Sequence, residues 1–463
     1  MKKFTHTLLL IAFNIGICKA TIITVPGNFS SIQQAIDASV DGDTVVVLQG
    51  TYLENLNFHG KKILLTSLFY LSNDTSYIST TIINGSQPVQ PDTASCVLMI
   101  SGEDSTTILQ GFTITGGTGT KWLDEHGAGT YREGGGILIQ YSSPVIRHNA
   151  IIYNYAVDIS GVFGAGGGGL RIGDSHPQIL NNVIANNEAK YGPGIVLNYT
   201  GCTIKNNLIC FNSGGQYYNG GGAVWANHNP AVPDPKIIEN NTIYANHATT
   251  GTGGILCSGT SVIMRNNIIR NNTSPNNSQV YPIGGGLAVV TYTDIQGGYA
   301  GSGNIDTDAL FTDTTTFYLL PLSPCIDAGD SSAIYNDIEN VSLPGFALLP
   351  SLGTIRNDMG AYGGQGAFNF GQVQTVGINE QNVTDENHLS IFPNPASERF
   401  TVSCFKFRVN RIEMINAVGE IIFTVKPENK NEVTMDVTGL QKGIYFMKLM
   451  LENTTVTKKI VVN

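Results

Sequence analysis

The sequence is poor in charged residues and, after its first residues, in long apolar runs. Asp, Glu, Lys and Arg make up 13% of the 463 residues, whereas glycine alone contributes 54. Low charge together with abundant Gly, Asn and Thr is typical of turn-rich β structure rather than of helical bundles. No internal stretch is apolar for long enough to cross a bilayer. Because 41% of the residues are hydrophobic, the chain can still bury a core, which argues against a disordered protein.

The chain also lacks the residue clusters that hold zinc or contact nucleic acids. Its cysteines are irregularly spaced and form no CxxC pair, so the sequence predicts no structural zinc site and assigns no disulfide pairing. The formal net charge is −10, and no run of Lys and Arg is interleaved with aromatics, so nucleic acid is not an expected partner. The same charge repels polyanionic glycans unless a local cationic cluster or bound Ca²⁺ reverses its sign.

No cofactor and no metal ligand set is predicted, but Ca²⁺ stays open. Several aspartates cluster late in the chain: Asp306, Asp308, Asp313, Asp327, Asp330 and Asp358. Their carboxylates could hold Ca²⁺ with a structural effect, although the formation of turns by Asp is the more ordinary explanation.

The first residues are typical of a secretory signal. Lys2 and Lys3 give a positive start, Leu8 to Ile17 form a short apolar segment, and Cys18-Lys19-Ala20 loosely matches a cleavage site. The apolar segment is too short to span a bilayer. We therefore predict a signal peptide over residues 1–20 and a mature, exported chain that begins near Thr21.

An internal repeat dominates the middle of the chain. A phrase such as PVIRHNAIIYN (144–154) or PQILNNVIANN (177–187) occurs five times at intervals of 25 to 34 residues. Aligning the copies places one asparagine of each in a single column: Asn149, Asn182, Asn207, Asn241 and Asn267. A second column follows five residues later: Asn154, Asn187, Asn212, Asn246 and Asn272. Asparagine at fixed positions tolerates left-handed turns, and its amide can bond the equivalent amide one repeat away.

Between these phrases a run of glycines precedes a short apolar strand, as in GGGILI from Gly134 and GGGGLRI from Gly166. Such short strands are stable only when successive coils stack in parallel around a continuous core. The repeat therefore predicts an all-β parallel β-helix with a structural ladder of asparagines. A leucine-rich repeat is excluded by the missing Leu frame, and a β-propeller needs longer blades.

The start of this domain predicts a short helix that caps the open end of the solenoid. Ser30 and Ser31 precede Gln33 and Gln34 at capping-box spacing. An apolar helical face follows, predicted to end at Asp41-Gly42-Asp43: Ile32, Ala35, Ile36 and Val40. Terminal repeats need such a cover because their strand edges are otherwise exposed.

These segments resemble a known superfamily. The stretches VPGNFSSIQQAIDASVDGDTVVVLQGTY (25–52), ILQGFTITGG (108–117) and Tyr292 to Gly364 are similar to right-handed parallel β-helix proteins of the pectate-lyase-like superfamily. The resemblance covers about 350 residues and implies the fold over residues 21–370. It does not fix an activity, because the superfamily includes lyases, hydrolases, esterases, epimerases and non-catalytic proteins.

The last residues form a different module. Residues 371–387 are predicted to be a linker, and residues 388–463 alternate strands with turns, which is typical of a small antiparallel β-sandwich. Three motifs resemble the C-terminal sorting domain of type IX secretion substrates from Bacteroidetes: FPNPA (392–396), DVTGLQKGIY (436–445) and KKIVV (458–462). The resemblance implies the type IX secretion machinery as a partner, with export through the periplasm to the outer-membrane surface or the medium.

Chemistry in this fold is expected on outward-facing coil positions and projecting loops. Four residues are candidates for catalysis: Lys121, His126, Arg171 and His176. Four more are candidates for substrate binding: Trp122, Tyr131, Arg132 and Glu133. Most of them lie in the longest loop, Gly116 to Gly134, and Arg171 belongs to a column beside the glycine runs that is predicted to face outward. That column contains Leu138, Arg171, Val196, Val224, Leu256 and Ala288.

Two functional hypotheses follow. The favoured one is an exported surface protein that binds polysaccharide or matrix glycan without catalysis. The second is a polysaccharide lyase or glycoside hydrolase that acts on the outer face of the β-helix, since the loop holds the residue types that either reaction needs. The residue sets of catalytic polygalacturonases and the acidic runs of Ca²⁺-dependent pectate lyases do not occur in this sequence.

Overall fold

The computed structural model describes residues 20–156, 158, 161–227, 236–276 and 278–371, and the C-terminal segments 389–392, 399–404, 409–415, 421–426, 432–440, 443–451 and 455–462. The chain divides into two compact units, Met1–Thr375 and Val376–Asn463. The predicted signal peptide and linker, apart from residues 20 and 371, lie outside the described residues. No helix in the described part of the chain is both long and apolar enough to cross a membrane.

Three long parallel sheets form the body of the first unit, which also contains two four-stranded sheets. Sheet 1 has ten strands: Ile22–Val25, Thr44–Val47, Leu64–Ser67, Ile108–Gln110, Val145–Arg147, Gln178–Leu180, Cys202–Lys205, Lys236–Glu239, Ser261–Arg265 and Leu287–Thr291. Sheet 2 has nine: Gly50–Tyr52, Thr81–Asn84, Thr113–Thr115, Ala150–Ile152, Val183–Ala185, Leu208–Cys210, Thr242–Tyr244, Ile268–Arg270 and Asp294–Ile295. Sheet 3 has eight: Leu56–Asn57, Val97–Met99, Ile137–Gln140, Leu170–Gly173, Ile195–Asn198, Val224–Asn227, Ile255–Ser258 and Val280–Ile283.

Each complete coil contributes one strand to each sheet, and equivalent residues of successive coils pair directly. In sheet 1 the register joins Ile146 to Ile179, Ile179 to Ile204, and Ile204 to Ile238. These side chains are fully buried in one apolar cluster that runs along the solenoid. The predicted right-handed parallel β-helix is confirmed, and a propeller is excluded because consecutive coils stack in parallel rather than forming antiparallel blades.

The predicted asparagine ladder is present at both columns. In the first, the Nδ2 of Asn149, Asn182, Asn207 and Asn241 donates to the Oδ1 of the next asparagine at 3.0–3.2 Å. The backbone N–H of each donates to the same oxygen at 2.8–3.0 Å. The second column repeats the amide bonds at 2.8–3.1 Å. The ladder asparagines are buried, so these bonds are shielded from water.

The prediction that the ladder asparagines themselves adopt left-handed turns is wrong. The left-handed residue is the one before each of them, with φ of 50–56°: His148, Asn181, Asn206, Asn240 and Asn266. That residue turns the chain and directs its own side chain outward, so that the next side chain points inward and stacks. The frequent Asn-Asn pairs in the repeat therefore combine an outer turn residue with an inner ladder residue.

The outward asparagines hold the closing segment against sheet 2. Asn206 Nδ2 donates to the carbonyls of Ala361 and Gly363 at 3.0 and 2.7 Å. Asn240 Nδ2 donates to the Asp358 carbonyl at 3.0 Å, and the Asp330 N–H donates to Asn266 Oδ1 at 2.8 Å. The segment includes a 3-10 helix at Ala333–Tyr335 and covers the outer side of sheet 2 with aromatic residues.

This cover buries one outward-facing column of sheet 2. The column of sheet 2 that carries Ala185 and Cys210 faces away from the solenoid core, as its register requires, yet both residues are fully buried. They pack against Phe317, Tyr362 and a neighbouring cluster of apolar side chains. The cysteines whose side chains the structure describes are Cys96, Cys202, Cys210, Cys257 and Cys325, and each is a buried free thiol.

The N-terminal capping helix spans Ile32–Ala38, and its N-cap Ser31 accepts a hydrogen bond from the Gln34 N–H. Buried Ile32 and Ile36 join the core cluster and close the end of the solenoid. The helix ends earlier than predicted, because the Ser39 hydroxyl donates to the Ile36 carbonyl and caps its last turn. Val40 is consequently 46% exposed instead of lying on the buried face. Two further short helices are Phe69–Ser72 and Ser76–Thr80.

The second unit contains two antiparallel sheets. One is formed by Leu389–Phe392, Arg399–Cys404 and Glu432–Asp436. The other is formed by Ile421–Val425, Val409–Ile415, Gly443–Leu451 and Thr455–Val462. Phe400 and Met435 from the first sheet share one core with Ile412 and Met447 from the second. The predicted small β-sandwich is confirmed.

A pair of buried carboxyl groups lies inside the closing segment. Asp337 and Asp358 are 2% and 1% exposed, and the Asp358 N–H donates to the Asp337 carboxylate at 3.2 Å. Asp358 accepts from the N–H groups of Asp327 and Leu352 at 2.8 Å each. Burial raises the pKa of both carboxyls, and repulsion from Asp358 raises the pKa of Asp337 further.

The stability of the closing segment should therefore depend on pH. A carboxyl whose pKa is raised by folding stabilises the fold most when it is protonated, below the ordinary Asp value of about 4. We expect that contribution to be lost as pH rises through the raised values toward neutrality. The free energy of unfolding, from urea titrations at a series of pH values, should fall over this range in the wild type and fall less in Asp337→Asn. Asp308→Asn, at an exposed aspartate of the same segment, is the control. If the free energy of unfolding of Asp337→Asn fell with pH as steeply as that of the wild type, the raised pKa of Asp337 would be contradicted.

Candidate functional site

The longest predicted loop is a β-hairpin that lies beside sheet 3. Its strands, Gly119–Asp124 and Gly129–Glu133, pair antiparallel, with Trp122 opposite Tyr131 and Thr120 opposite Glu133. Asp124 organises the turn, because its Oδ1 accepts from the N–H groups of His126 and Ala128 at 2.9 and 3.2 Å. Two glycines with φ of 84° and 107° complete the reversal at Gly127 and Gly129.

Strand alternation separates the predicted site residues onto two faces of the hairpin. Residues directly opposite each other share a face, so Trp122, Tyr131 and Glu133 lie on one side, while Lys121 and Arg132 lie on the other. Lys121 Nζ is 3.9 Å from an Asp92 carboxylate oxygen. Arg132 is buried and donates to the carbonyls of Thr118 and Pro91 at 2.7 and 2.9 Å, which fastens the hairpin to the preceding chain.

Glu133 and Arg171 form a buried ion pair between the hairpin and sheet 3. Arg171 Nε is 2.7 Å from Glu133 Oε2, and the two side chains are 1% and 5% exposed. The Tyr191 hydroxyl donates to Glu133 Oε1, and Arg171 Nη1 donates to Gln140 Oε1. Arg171 does point away from the solenoid core, but the hairpin covers it, so its predicted exposure is wrong.

A polar chain continues from this ion pair to His126. Gln140 Nε2 donates to Asp174 Oδ2 at 2.9 Å, and His126 Nε2 is 3.0 Å from Asp174 Oδ1. The His126 ring also packs on Tyr199, with 3.9 Å between ring centroids. Two of the four candidates for catalysis, His126 and Arg171, are thus joined through Gln140 and Asp174.

His176 lies apart from this chain, whereas Trp122 is linked to it, because Glu125 Oε2 accepts from Gln140 Nε2 at 3.4 Å. His176 is exposed in the turn after Leu170–Gly173, and its backbone N–H donates to Ser143 Oγ at 2.9 Å. The Trp122 indole N–H donates to Glu125 Oε1 at 2.9 Å, on the solvent-facing part of the hairpin. The catalytic and substrate-binding roles of the eight residues remain predictions.

A cavity of about 210 Å³ lies between the inner face of the hairpin and sheet 3. Its walls are mostly aromatic, with polar groups at the rim: Asp124, Ala128, Tyr131, Glu133, Tyr191, Asn198, Tyr199, Tyr218, Trp225 and Asn227. Tyr191 packs edge-on against Tyr218 and Trp225, with centroid distances of 5.2 and 5.3 Å. Burial raises the pKa of Tyr131 and Tyr191, so both hydroxyls stay protonated at neutral pH.

The amides at the rim are linked to each other and to the hairpin. Asn198 Nδ2 donates to Asp124 Oδ2 at 3.3 Å, and Asn227 Nδ2 donates to Asn198 Oδ1 at 3.2 Å. The Trp225 indole N–H donates to the Tyr218 carbonyl at 3.0 Å, which fixes the ring as a wall of the cavity. Preformed walls of this kind are typical of ligand sites.

Sequence reasoning missed four of the aromatic residues: Tyr191, Tyr199, Tyr218 and Trp225. Trp225 was missed because Ala223 occupies the position of the last glycine in the other coils. Aligning the coils by their glycines therefore placed Val224, one residue too early, in the outward column. The register pairs Val196 with Trp225 rather than with Val224. Likewise Leu256 pairs with Tyr281, whereas Ala288 belongs to sheet 1. Counting back from the asparagine columns does not place Trp225 either, because Trp225 lies 16 residues before Asn241 whereas Val196 lies 11 before Asn207; only the strand register identifies its column.

Within the described residues, no group of three or more His, Cys, Asp and Glu side chains is placed to hold a metal ion. The aspartates of the closing segment have local partners instead. Asp313 Oδ1 accepts from the Thr315 and Thr316 N–H groups at 2.8 and 2.6 Å, and Asp306 contacts Arg270 at 3.1 Å. Turn formation and ion pairing account for these carboxylates.

The buried ion pair should be structural. Arg171→Ala leaves the Glu133 carboxylate buried without its cation, and we expect a loss of about 3–5 kcal/mol in the free energy of unfolding. The double variant Arg171→Met with Glu133→Gln removes both charges and should recover part of that loss. Urea titration followed by circular dichroism measures both, with exposed Lys121→Ala as the control. Wild-type stability in Arg171→Ala would contradict this role.

No curated protein matches the chain by sequence. Among solved structures, a pectin methylesterase from carrot is 12% identical with a TM-score of 0.38, covering 61% of this chain and 82% of its own. A pectin methylesterase mutant in complex with a hexasaccharide is 9% identical with a TM-score of 0.33, covering 63% and 93%. A pectate lyase is 14% identical with a TM-score of 0.33, covering 75% and 97%.

The second unit matches a family model. Residues 390–463 match the model described as "Secretion system C-terminal sorting domain". The match spans the described strands of the β-sandwich except for Leu389, the first residue of Leu389–Phe392. The chain therefore carries a type IX C-terminal sorting domain, which marks it for secretion to the cell surface or beyond.

Proposed function

We propose that the β-helix unit binds polysaccharide outside the cell, in the aromatic cavity beneath the hairpin, without turning it over. The sorting domain accounts for export, and the β-helix supplies a rigid framework for the site. The route we propose runs through the periplasm, with a signal peptide at residues 1–20 and a linker at 371–387, and ends at the outer-membrane surface or in the medium. The type IX machinery is the partner of the C-terminal unit in this scheme.

The cavity walls are the observation that carries the proposal. Tyr131, Tyr218 and Trp225 are not fully buried and offer ring surfaces that suit the apolar C–H face of a sugar ring. Asn198 and Asn227 add amide donors and acceptors at the rim, within reach of sugar hydroxyls. An apolar concave wall with a few fixed polar groups is the usual composition of a small-ligand site.

The two carboxylates that line the cavity already have hydrogen-bonding or ionic partners, which favours binding over catalysis. Glu133 Oε2 pairs with the Arg171 guanidinium, and Glu133 Oε1 accepts a hydrogen bond from the Tyr191 hydroxyl. Asp124 uses Oδ1 for the turn of the hairpin and Oδ2 for Asn198. A glycoside hydrolase needs two carboxyl groups that can reach the scissile bond and its attacking water. Arg171, one of the candidates for catalysis, is buried and therefore out of reach of a substrate.

The alternative is a polysaccharide lyase or glycoside hydrolase, and one contact favours it. Asp174 lies 3.0 Å from His126 Nε2, and a carboxylate that orients an imidazole is a common arrangement for general acid–base catalysis. His126 is only partly buried, with 30% of its side chain exposed, so a ligand can approach it.

A single assay separates the two functions. The full chain is incubated with neutral and uronate polysaccharides, with and without Ca²⁺, while binding is followed by affinity electrophoresis. Retardation without new reducing ends or ultraviolet-absorbing unsaturated products supports binding alone. Product formation that is lost in His126→Ala would establish the alternative.

Removing one aromatic wall should weaken binding. A contact between two aromatic rings is worth about 0.5–1.5 kcal/mol beyond the area it buries, and a sugar ring stacked on Trp225 would also bury apolar C–H surface. We therefore expect Trp225→Ala to reduce affinity for the retained polysaccharide by about ten-fold or more. Tyr281→Ala changes the equivalent column of sheet 3 outside the cavity and should leave affinity unchanged. Equal losses in both variants would place the binding site elsewhere.

A further inference from the structure

The charge around the cavity restricts which sugar it can hold. Asp124 and Glu133 are its only charged lining residues, and no Lys, Arg or His is among the described residues that line it. The guanidinium of Arg171, which pairs with the lining residue Glu133, is buried and engaged by Glu133 and Gln140. Lys121 and Arg132 lie on the opposite face of the hairpin.

The two carboxylates differ in how they are compensated. Glu133 is neutralised by Arg171, so the pair carries no net charge. The described contacts of Asp124 are with neutral donors: the N–H groups of His126 and Ala128 and the amide of Asn198. The wall therefore retains one net negative charge beside a partly desolvated space. A carboxylate on the ligand would meet this charge without a counterion, and like charges at short range repel strongly where water is scarce.

The size of the cavity adds a second restriction. Its volume of about 210 Å³ is below the roughly 300–1,000 Å³ typical of pockets for drug-sized molecules. Tyr131, Tyr191 and Tyr218 pack edge-on along its wall, and the Tyr131 and Tyr218 hydroxyls are 3.4 Å apart. The space suits one ring rather than a continuous run of a polysaccharide chain.

We propose that the aromatic cavity beneath the hairpin takes a single uncharged sugar ring, a chain end or side branch, and rejects uronic acids. This specificity rests on the proposed function, because it assigns a ligand class to the same site. It follows from the uncompensated Asp124 carboxylate, the inaccessible cations and the small volume.

Matched pairs of methyl glycosides test the proposal in the full chain. Glucose and glucuronate, and galactose and galacturonate, differ within each pair only in the oxidation of C6. Isothermal titration calorimetry should show at least one neutral glycoside binding about ten-fold or more tightly than its uronate partner, the equivalent of about 1.4 kcal/mol. Asp124→Asn removes the negative charge but keeps an acceptor for the turn. It should therefore reduce the ratio of the affinity for the neutral glycoside to the affinity for its uronate partner.

A second measurement, on the wild-type chain, tests the proposal even if the Asp124→Asn variant fails to fold. A higher salt concentration screens the repulsion between Asp124 and the carboxylate of a uronate. In the wild-type chain it should therefore also reduce the ratio of the affinities for the neutral and uronate glycosides. Oligomers of the preferred sugar should bind no more than about three-fold more tightly than its glycoside if one ring fills the site. Equal or tighter binding of uronates, or affinity that climbs steeply with chain length, would overturn the proposal and leave polysaccharide binding standing. Binding of none of the glycosides or polysaccharides would instead overturn the proposed function.

Discussion

The stacking of buried asparagines on successive coils is the constraint on which the rest of the β-helix depends. Each strand has only two to five residues, too few to fix its own register. Each ladder amide receives donors from one neighbouring coil and donates to the next, so a slip of one residue would leave several buried polar groups unpaired. The cost of unpaired buried groups, rather than the attraction of any one bond, is what makes the register unique.

That register determines where the functional surfaces lie. The outward residue before each ladder asparagine is free to recognise other parts of the chain, and Asn206 and Asn240 use this freedom to hold the closing segment on sheet 2. Sheet 3 is covered differently, by the hairpin that inserts between two coils. Because Arg171 and Trp225 occupy one outward column, the hairpin buries the first and leaves the second as a wall of the cavity.

The fold could be predicted from the sequence because its determinants recur. Asn149 and Asn182 are recognisable as equivalent from spacing alone, and equivalence implies stacking. The capping helix was also predictable from Ser31 and Gln34, although its last turn was not, since a serine hydroxyl ends it at Ser39. The sorting domain is recognisable because three of its motifs occur in order.

The site was less predictable because it is assembled from residues that do not recur. Tyr131 and Glu133 were identified from the residue types in one loop, yet period-2 alternation in the hairpin turns Lys121 and Arg132 to the other side. Nothing in the local sequence shows that this loop pairs with itself over sheet 3. Trp225 was missed because Ala223 replaces a glycine and breaks the visible frame, which only the strand register restores.

The most direct test of the account is the loss of one inner rung of the ladder. In Asn207→Ala, the backbone N–H and the amide of Asn182 lose a common acceptor that lies 2.8 and 3.1 Å away. The account predicts that the free energy of unfolding of the full chain, from urea titration, falls by about 2–5 kcal/mol. Exposed Asn276→Ala should show no such loss. A stable Asn207→Ala variant, indistinguishable from the wild type, would contradict the claim that the asparagine ladder holds the coils in register.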